Sequence, residues 1–365
     1  MKSEAILLHY YGIWDFLTHL PFVLAIAEKN RKSKFIILTK SRTFAKELLL
    51  FKKRIDVIYI ENEYSLFSSI KEFFKLRNLF KKKKVSRIWI FHRSPRFAII
   101  AFCSSVKERL GYGIGSQKIW LNCKNFLSKK FYKSFPIEKS FEFLKINNIF
   151  LDSVEPKLKA IEFINNKIKK KYIKHHKPWI VIGFGSTDIH RTWRMSNFIN
   201  LIKILDKKKK CSFFLIGSPN EENKAERIIS KCMDLGSNII NACFTIEKTI
   251  SLISQSNFYI GNDTGSSNLA LALGIKTFII HGGTPPYTKT VYRNFYPKLY
   301  NSKFLISILP SGGVLRDPHL KGMDSIPRKD GMDLIKPRDV SKVIFQNWRK
   351  INNIWLKASV YSEIN

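Results

Sequence analysis

The sequence predicts an α/β fold built in two successive halves, and three observations predict it. Short apolar runs alternate with amphipathic stretches along the chain, the pattern of parallel strands joined by crossover helices. The rhythm runs through the first half, passes a polar, lysine-rich stretch at about 150–178, and then restarts. The length of 365 residues is ample for a sizeable core and favours two domains over one.

In the first half the strand signals are AILLHYY (5–11), KFIILTK (34–40), DVIYI (56–60) and RIWIFH (87–92). Helical patterns lie between them, such as LPFVLAIAEKN from Leu20 and RFAIIAFCSSV from Arg96. The polar stretch reads as one strand or helix plus a linker, with Pro178 marking the start of the second sheet. The second half then offers WIVIGFGS (179–186), SFFLIGS (212–218), NFYIGND (257–263) and TFIIHGG (277–283). Near the C-terminus, Val340, Val343, Ile344, Trp348, Ile351, Ile354 and Trp355 fall on one face of a helical pattern. These signals divide the chain into 1–165, 166–340 and a terminal helix, 341–365, expected to pack back towards the first domain. The Gly-, Pro- and Asp-rich segment 302–335 reads as a mobile connection.

Composition narrows the class. No window approaches eighteen uninterrupted apolar residues, and no basic leader with a small-residue cleavage site is visible, so the expectation is a cytoplasmic chain without a spanning helix. Cys103, Cys123, Cys211, Cys232 and Cys243 are odd in number and form no CxxC pair, which predicts reduced core thiols. The outlier is charge: 64 Lys and Arg against 28 Asp and Glu give a formal +36. Three explanations stand side by side: lysine-rich codon usage with exposed lysines, attraction to an anionic membrane face or phosphorylated glycolipid, and nucleic-acid binding. No zinc finger, basic-leucine repeat or RNP-like aromatic pattern accompanies the charge, so no nucleic acid is expected.

Three strand exits carry candidate chemistry. At 262–274 a strand ends in Gly261-Asn262-Asp263 and feeds Thr264-Gly265-Ser266-Ser267 before a helical apolar run. Helix-start N–H groups and the hydroxyls suit a pyrophosphate, although Asp, Thr and Ser also make plain N-caps. At 181–198 a strand runs into Gly183 and Gly185, and the turn offers Ser186, Thr187, His190 and Arg191, with Trp193 read as packing. Arg191 is either a fixed charge for phosphates or a solvated loop residue. Asp15 follows the first strand directly and precedes a helix, so it is a helix cap or a general base.

Taken in this order, the stretches resemble glycosyltransferase family 9, the ADP-heptose:lipopolysaccharide heptosyltransferases. WDFLTHLP supplies Asp15, His19, Leu20 and Pro21 of the family's first-turn pattern. DTGSSNLALALG matches its Asp-(Ser/Thr)-Gly-x-x-His motif from Asp263, and GSPNEENKAERI places Glu221 about four positions past Gly217. Trp14 stands where the family usually has Gly, and Asn268 stands where it has His. The resemblance implies a GT-B architecture, two Rossmann-like domains facing across a cleft. It implies an inverting transfer of heptose, or a related sugar, from ADP-heptose to the lipopolysaccharide core.

In that scheme Asp15 is the general base and Arg191 steadies the leaving diphosphate. Gly185, Ser186, Thr187, Arg191, Glu221, Asp263, Thr264, Gly265, Ser266 and Asn268 form the donor side, Glu221 holding the ribose. No metal is required, no DxD-like signature is seen, and no cofactor is expected beyond the nucleotide sugar. His19, Arg93 and Arg96 are the acceptor-side candidates, beside His92. The expected partners are a nucleotide sugar, the lipopolysaccharide core and, peripherally, the anionic inner face of the membrane. HGGTPPYTKTVY (281–292) is a candidate for base contacts. A different donor on the same fold, or a non-catalytic basic scaffold or nucleic-acid-binding protein on that fold, is the alternative.

Overall fold

A computed structural model of the chain describes residues 3–9, 12–50, 52–60, 66–282, 295, 304–310 and 331–348. The chain forms two compact units, Met1–Pro156 and Lys157–Asn365. This division falls ahead of the expected 165/166 boundary. The helix Glu162–Tyr172 packs against a helix of the second unit, so its residues belong with the second core.

Unit 1 holds one parallel sheet of β1 (Ser3–Leu7), β2 (Lys34–Thr39), β3 (Ile55–Tyr59), β4 (Val85–Ile90) and β5 (Glu108–Gly111) in the order β3-β2-β1-β4-β5. Its helices are α1 (Ile13–Lys29), α2 (Ala45–Leu48), α3 (Leu66–Lys82), α4 (Arg96–Cys103) and α5 (Pro136–Ile146). Residues of β1, β2 and β4 are buried on both faces, as parallel strands with helices on either side must be. One core joins Leu7, Leu38, Ile88 and Ile90 to Leu76, Phe80, Phe97 and Ile100. After β1 the chain adds β2 and β3 on one side, and α3 returns it to add β4 on the other. The order reverses between β1 and β4, and ligands bind open α/β sheets at the carboxyl ends of such a pair.

Unit 2 repeats the plan. Its helices are α6 (Glu162–Tyr172), α7 (Met195–Lys208), α8 (Glu222–Ser230), α9 (Ile246–Ser254) and α10 (Gly265–Ala272). The strands β6 (Trp179–Gly183), β7 (Ser212–Ile216), β8 (Asn238–Asn241), β9 (Phe258–Asn262), β10 (Lys276–Ile280) and β11 (Leu305–Ile308) pair in the order β11-β10-β9-β6-β7-β8. Here the reversal falls between β6 and β9. The terminal helix is described in part. Over 337–348 it lies on the core of unit 2, with Val340 and Ile344 buried and Trp348 edge-on to Phe258 at 5.3 Å. Residues 349–365 and most of the 302–335 connection lie outside the described residues.

The local reading of α1 also changes. The helix begins at Ile13 and not at Leu20, so it runs through Pro21 and takes Asp15 into its first turn. Asp15 Oδ2 accepts the Gly12 N–H at 3.1 Å and closes the N-terminus. All five cysteines are free, yet only Cys211 and Cys232 are buried, so the expectation of core thiols holds for those two. Among the described residues no helix is long and apolar enough to cross a membrane.

His19, expected on the acceptor side, is buried within unit 1 and pins α1 to α5. The ring is 1% exposed; its Nδ1 lies 2.7 Å from the Asp15 carbonyl and its Nε2 2.9 Å from the Ser140 hydroxyl of α5. A carbonyl only accepts, so Nδ1–H is the donor. Burial pushes the imidazole down from 6.5 to about 4, partly offset by the Asp15 hydrogen bond. The unfolded chain therefore takes up a proton near pH 6.5 that the folded chain refuses until about pH 4. This stabilisation is complete above pH 6.5 and is lost as pH falls through that window, by about 3 kcal/mol for this one group. Urea titrations between pH 7 and 4 should show it, and His19→Gln, which cannot titrate, should flatten the slope by about one proton's worth.

Candidate active site

Most of the residues expected on the donor side lie at the carboxyl ends of β6 and β9, on either side of the reversal point of the second sheet, and Glu221 follows β7. Gly183 and Gly261 are register partners across these two strands. A Cβ on Gly261 would sit 2.4 Å from the Gly183 carbonyl oxygen, and one on Gly183 would sit 1.8 Å from the Tyr259 hydroxyl. The paired glycines thus let the Tyr259 ring cross the strands. Its hydroxyl reaches Ser266 Oγ at 2.8 Å, and Ser266 meets Thr264 Oγ1 at 2.9 Å. Burial pushes the Tyr259 phenol up to about 12, so it stays neutral and acts as a hydrogen-bonding strut beneath the α10 start.

Asn262 ties the same strand end to the loop after β6. Its Nδ2 donates to the Phe184 carbonyl at 2.9 Å and its Oδ1 accepts the Trp193 N–H at 3.0 Å. The loop 184–193 is therefore held at both ends by one side chain. Trp193 is buried, as expected, and its Nε1 donates to the Ile335 carbonyl at 2.9 Å. Within the loop, the Ser186 hydroxyl and the Asp188 backbone form a tight turn, and Asp188 caps the short 3-10 turn that carries His190 and Arg191. Thr187 is exposed at its tip.

Asp263, 3% exposed, is the electrostatic hub. Its Oδ2 lies 3.7 Å from Arg191 Nη1 and 3.8 Å from His281 Nδ1. Arg191 is steadied on its other side by Asp188 Oδ2, 3.4 Å from Nε. At these separations the guanidinium is oriented by charge while its donors stay out of short hydrogen bonds. Burial lowers the pKa of His281, the Asp263 carboxylate pulling it back up and Arg191 pushing it further down.

Glu221 sits where Gly185 and Gly217 make room for it. A Cβ on Gly185 would lie 2.4 Å from Glu221 Oε2, and one on Gly217 would lie 3.1 Å from it. The carboxylate accepts the Ser218 N–H and hydroxyl, each at 3.0 Å, which fixes its direction. The bare Cα of Gly185 thus clears the space occupied by an acid at the mouth of the sheet.

At α10 the backbone supplies what the sequence suggested. Thr264 is the N-cap, and Ser267 completes a capping box with it, accepting the Thr264 N–H at 3.2 Å. The N–H groups of Gly265 and Ser266 open the helix, where no intrahelical partner exists. Asn268 is the exception. It is buried on the inner side of the helix and its Nδ2 donates to the Thr264 carbonyl at 3.0 Å, so its expected donor contact becomes a helix-stabilising one.

On unit 1, Asp15 stands in the first turn of α1, and His92 and Arg93 follow β4, the partner of β1 at the other reversal point. His9, which no sequence pattern singles out, meets His92 edge-on at 5.3 Å. Burial, the neighbouring His9 and Arg93 lower His92 to about 4. Arg93 is exposed, and its field lowers the pKa of Lys139 after burial, placing a second cation nearby. Arg96, also expected on the acceptor side, pairs its guanidinium with the buried carboxylate of Glu72, tying α4 to α3. Among the described residues no group of three or more His, Cys, Asp or Glu is arranged to hold a metal ion. Most of 281–292 lies outside the described residues, apart from His281 and Gly282.

Comparison with known proteins now fixes the family. The profile of glycosyltransferase family 9 (heptosyltransferase) matches residues 75–299. The chain belongs to glycosyltransferase family 9. A curated relative, lipopolysaccharide heptosyltransferase 1 of Campylobacter coli, is 25% identical over 205 residues. That match covers 52% of this chain and spans little more than half, 56%, of the relative. Among solved structures, the E. coli ADP-heptose lipopolysaccharide heptosyltransferase II superposes with a TM-score of 0.66 at 14% identity, covering 95% of this chain and 99% of that one. A family 9 glycosyltransferase from Veillonella parvula gives 0.67 at 13% identity over 94% and 96%. An E. coli heptosyltransferase with ADP-2-deoxy-2-fluoro heptose gives 0.63 at 16% identity over 95% and 100%. The fold of this family 9 member is accordingly GT-B, with two Rossmann-like parallel-sheet domains.

Two glycine substitutions separate packing from site geometry. Gly261→Ala drives a methyl into the backbone of β6 and should destabilise unit 2 by about 1–3 kcal/mol in urea unfolding. Gly185→Ala meets only the end of the Glu221 side chain, so it should leave the urea midpoint nearly unchanged while it displaces that carboxylate and weakens nucleotide binding in calorimetry.

Proposed function

We propose that the protein is an inverting heptosyltransferase that moves heptose from ADP-heptose to the lipopolysaccharide core. One observation carries the assignment of roles: both sheets place their chemically equipped residues at the carboxyl ends of the strand pairs where the order reverses. Unit 2 brings an oriented guanidinium, a helix start and a directed carboxylate to that edge. Unit 1 brings a carboxylate and a cluster of cationic side chains. Membership of the heptosyltransferase family and the name of the Campylobacter relative support the reaction class.

In this reading the Asp15 carboxylate accepts the proton of an acceptor hydroxyl as that oxygen bonds to the anomeric carbon. The bond from that carbon to the β-phosphate oxygen breaks on the opposite face, and ADP departs carrying the electron pair. Gly12 N–H holds the base in a fixed direction, which favours a near-attack geometry. Arg191 and the N–H groups of Gly265 and Ser266 stabilise the charge gathering on the diphosphate, while Glu221 holds the ribose hydroxyls. Arg93 and Lys139 form the cationic edge for an anionic acceptor. His281 is a positioning residue: it holds Asp263, and through it Arg191.

Asp15→Ala should lose about 10²–10⁴-fold in turnover, the worth of a general base, while keeping ADP affinity in calorimetry. Unchanged turnover would favour a non-catalytic scaffold. The same calorimetry with ADP, UDP and GDP tests the donor, with ADP expected to bind tightest. His281→Phe should lower kcat more than it raises KM for the nucleotide sugar, since it loosens the Arg191 direction without removing a nucleotide contact; His281→Asn should recover part of the loss.

A further inference from the structure

The α3–α4 face of unit 1 sets exposed apolar side chains among lysines and beside a groove. Helix α3 turns Glu72, Leu76 and Phe80 inward, at i, i+4 and i+8. Its outer face carries Ile70 and Phe74, 49% and 52% exposed and one turn apart, where a soluble surface would place polar residues. Lys71, Lys75, Lys81 and Lys82 share that outer face. The helix holds five cations and one acid, and the acid, Glu72, is already neutralised by Arg96.

Between α3 and α4 lies an apolar groove of about 530 Å³, lined by Ile70, Phe73, Phe74, Pro95 and Ile99. Its end at Ser94 and Arg96 adjoins His92 and Arg93, at the carboxyl edge of β4. The apolar stripe continues along α4 to Phe102, 50% exposed, with Arg109 over its ring at 5.3 Å.

We propose that this face docks on an anionic lipid bilayer, Ile70 and Phe74 entering the acyl boundary while Lys71, Lys75, Lys81 and Lys82 meet the lipid phosphates. Lysine stems can lie along the apolar groove and keep their ammonium groups at headgroup level. Charge complementarity selects this occupant, because a polyanion alone would leave the half-exposed Ile70 and Phe74 without a role, whereas a bilayer uses both features. The proposal rests on the reading that the acceptor is carried by a lipid, and it places the membrane beside the acceptor-side residues of the same sheet edge.

Sedimentation of the full chain with vesicles of phosphatidylglycerol and phosphatidylcholine, against phosphatidylcholine alone, tests it. The wild type should pellet with the anionic vesicles only. Ile70→Ser with Phe74→Ser should lower the partition coefficient about 100-fold, about ten-fold for each inserted side chain. Lys71→Glu with Lys75→Glu should lower it at least about 25-fold, about five-fold for each lysine lost. Lys207→Glu with Lys208→Glu, an equal charge change on α7, should leave it within about two-fold. The altered side chains are surface ones, so the thermal midpoint should hold, and the Ile70/Phe74 variant should keep wild-type ADP binding and wild-type transfer to a detergent-free, delipidated acceptor.

Vesicle binding unaffected by the Ile70/Phe74 change, or equally reduced by the α7 change, overturns the proposal; binding of duplex DNA that survives the Ile70/Phe74 change while vesicles are ignored reassigns the face to polyanions and also overturns it. Failure of the sugar-transfer reading shows separately, as absent ADP binding or an indifferent Asp15→Ala, with the vesicle data unchanged.

Discussion

The missing side chains of Gly183 and Gly261 are the constraint on which the second unit's edge depends. A parallel sheet spaces its strands by backbone hydrogen bonds, so an aromatic ring that crosses two of them needs both neighbours to lack a Cβ. Given that space, Tyr259 runs beneath the start of α10 and joins Ser266. The helix start is thereby fixed relative to β6 as well as to β9, the strand from which it springs. Asn262, the next residue after Gly261, then clamps the opposite loop at Phe184 and Trp193. Three consecutive positions of one strand end thus determine where the loop, the helix and the buried acid stand.

That acid has an electrostatic logic of its own. A carboxylate as enclosed as Asp263 is tolerable only with cationic or donor partners, because an unpaired buried charge costs several kcal/mol. Arg191 and His281 both approach its Oδ2, from different segments of the chain. The arrangement works in both directions: the acid is stabilised, and the guanidinium is held at the strand edge although more than a third of its side chain is exposed. The family pattern places a His at the position occupied by Asn268. Here that position is turned into the helix, and the imidazole beside the motif's Asp comes from the end of β10.

Legibility in the sequence followed the physics of burial. Strands enclosed on both faces, such as IIL in β2 or the FFL of β7, are near-continuous apolar runs, and the alternation of such runs with helices revealed the two halves. The short edge strands ERLG, NIIN and LISI gave no comparable signal, since one side of an edge strand answers to solvent. Pro21 imitated a helix start, because proline favours the first turn, and so hid the true beginning at Ile13. Asp15, Arg191, Glu221 and the Thr264–Ser266 turn could be placed at strand exits from the sequence, because the apolar strands that precede them are legible. Asn262, Tyr259 and His281 were not legible, since each acts through a partner distant in sequence or through space left by a glycine. The partners of His19 and Arg96, Ser140 and Glu72, were likewise not legible, since each lies far away in sequence.

For the excess positive charge, distribution matters more than the total. A uniform lysine coat raises solubility and attracts polyanions weakly, with the attraction screened beyond about 8–10 Å in physiological salt. Charge becomes specific when it surrounds something that solvent disfavours. On α3 the lysines flank two aliphatic and aromatic side chains and a groove, and the single acid is withdrawn into an ion pair with Arg96. By contrast, the outward lysines of α7, Lys207 and Lys208, stand at the C-terminal end of a helix whose Phe198, Leu201, Ile202 and Leu205 face the core. There they complement the helix dipole and need no partner. What separates the two sets of lysines is therefore the company each keeps.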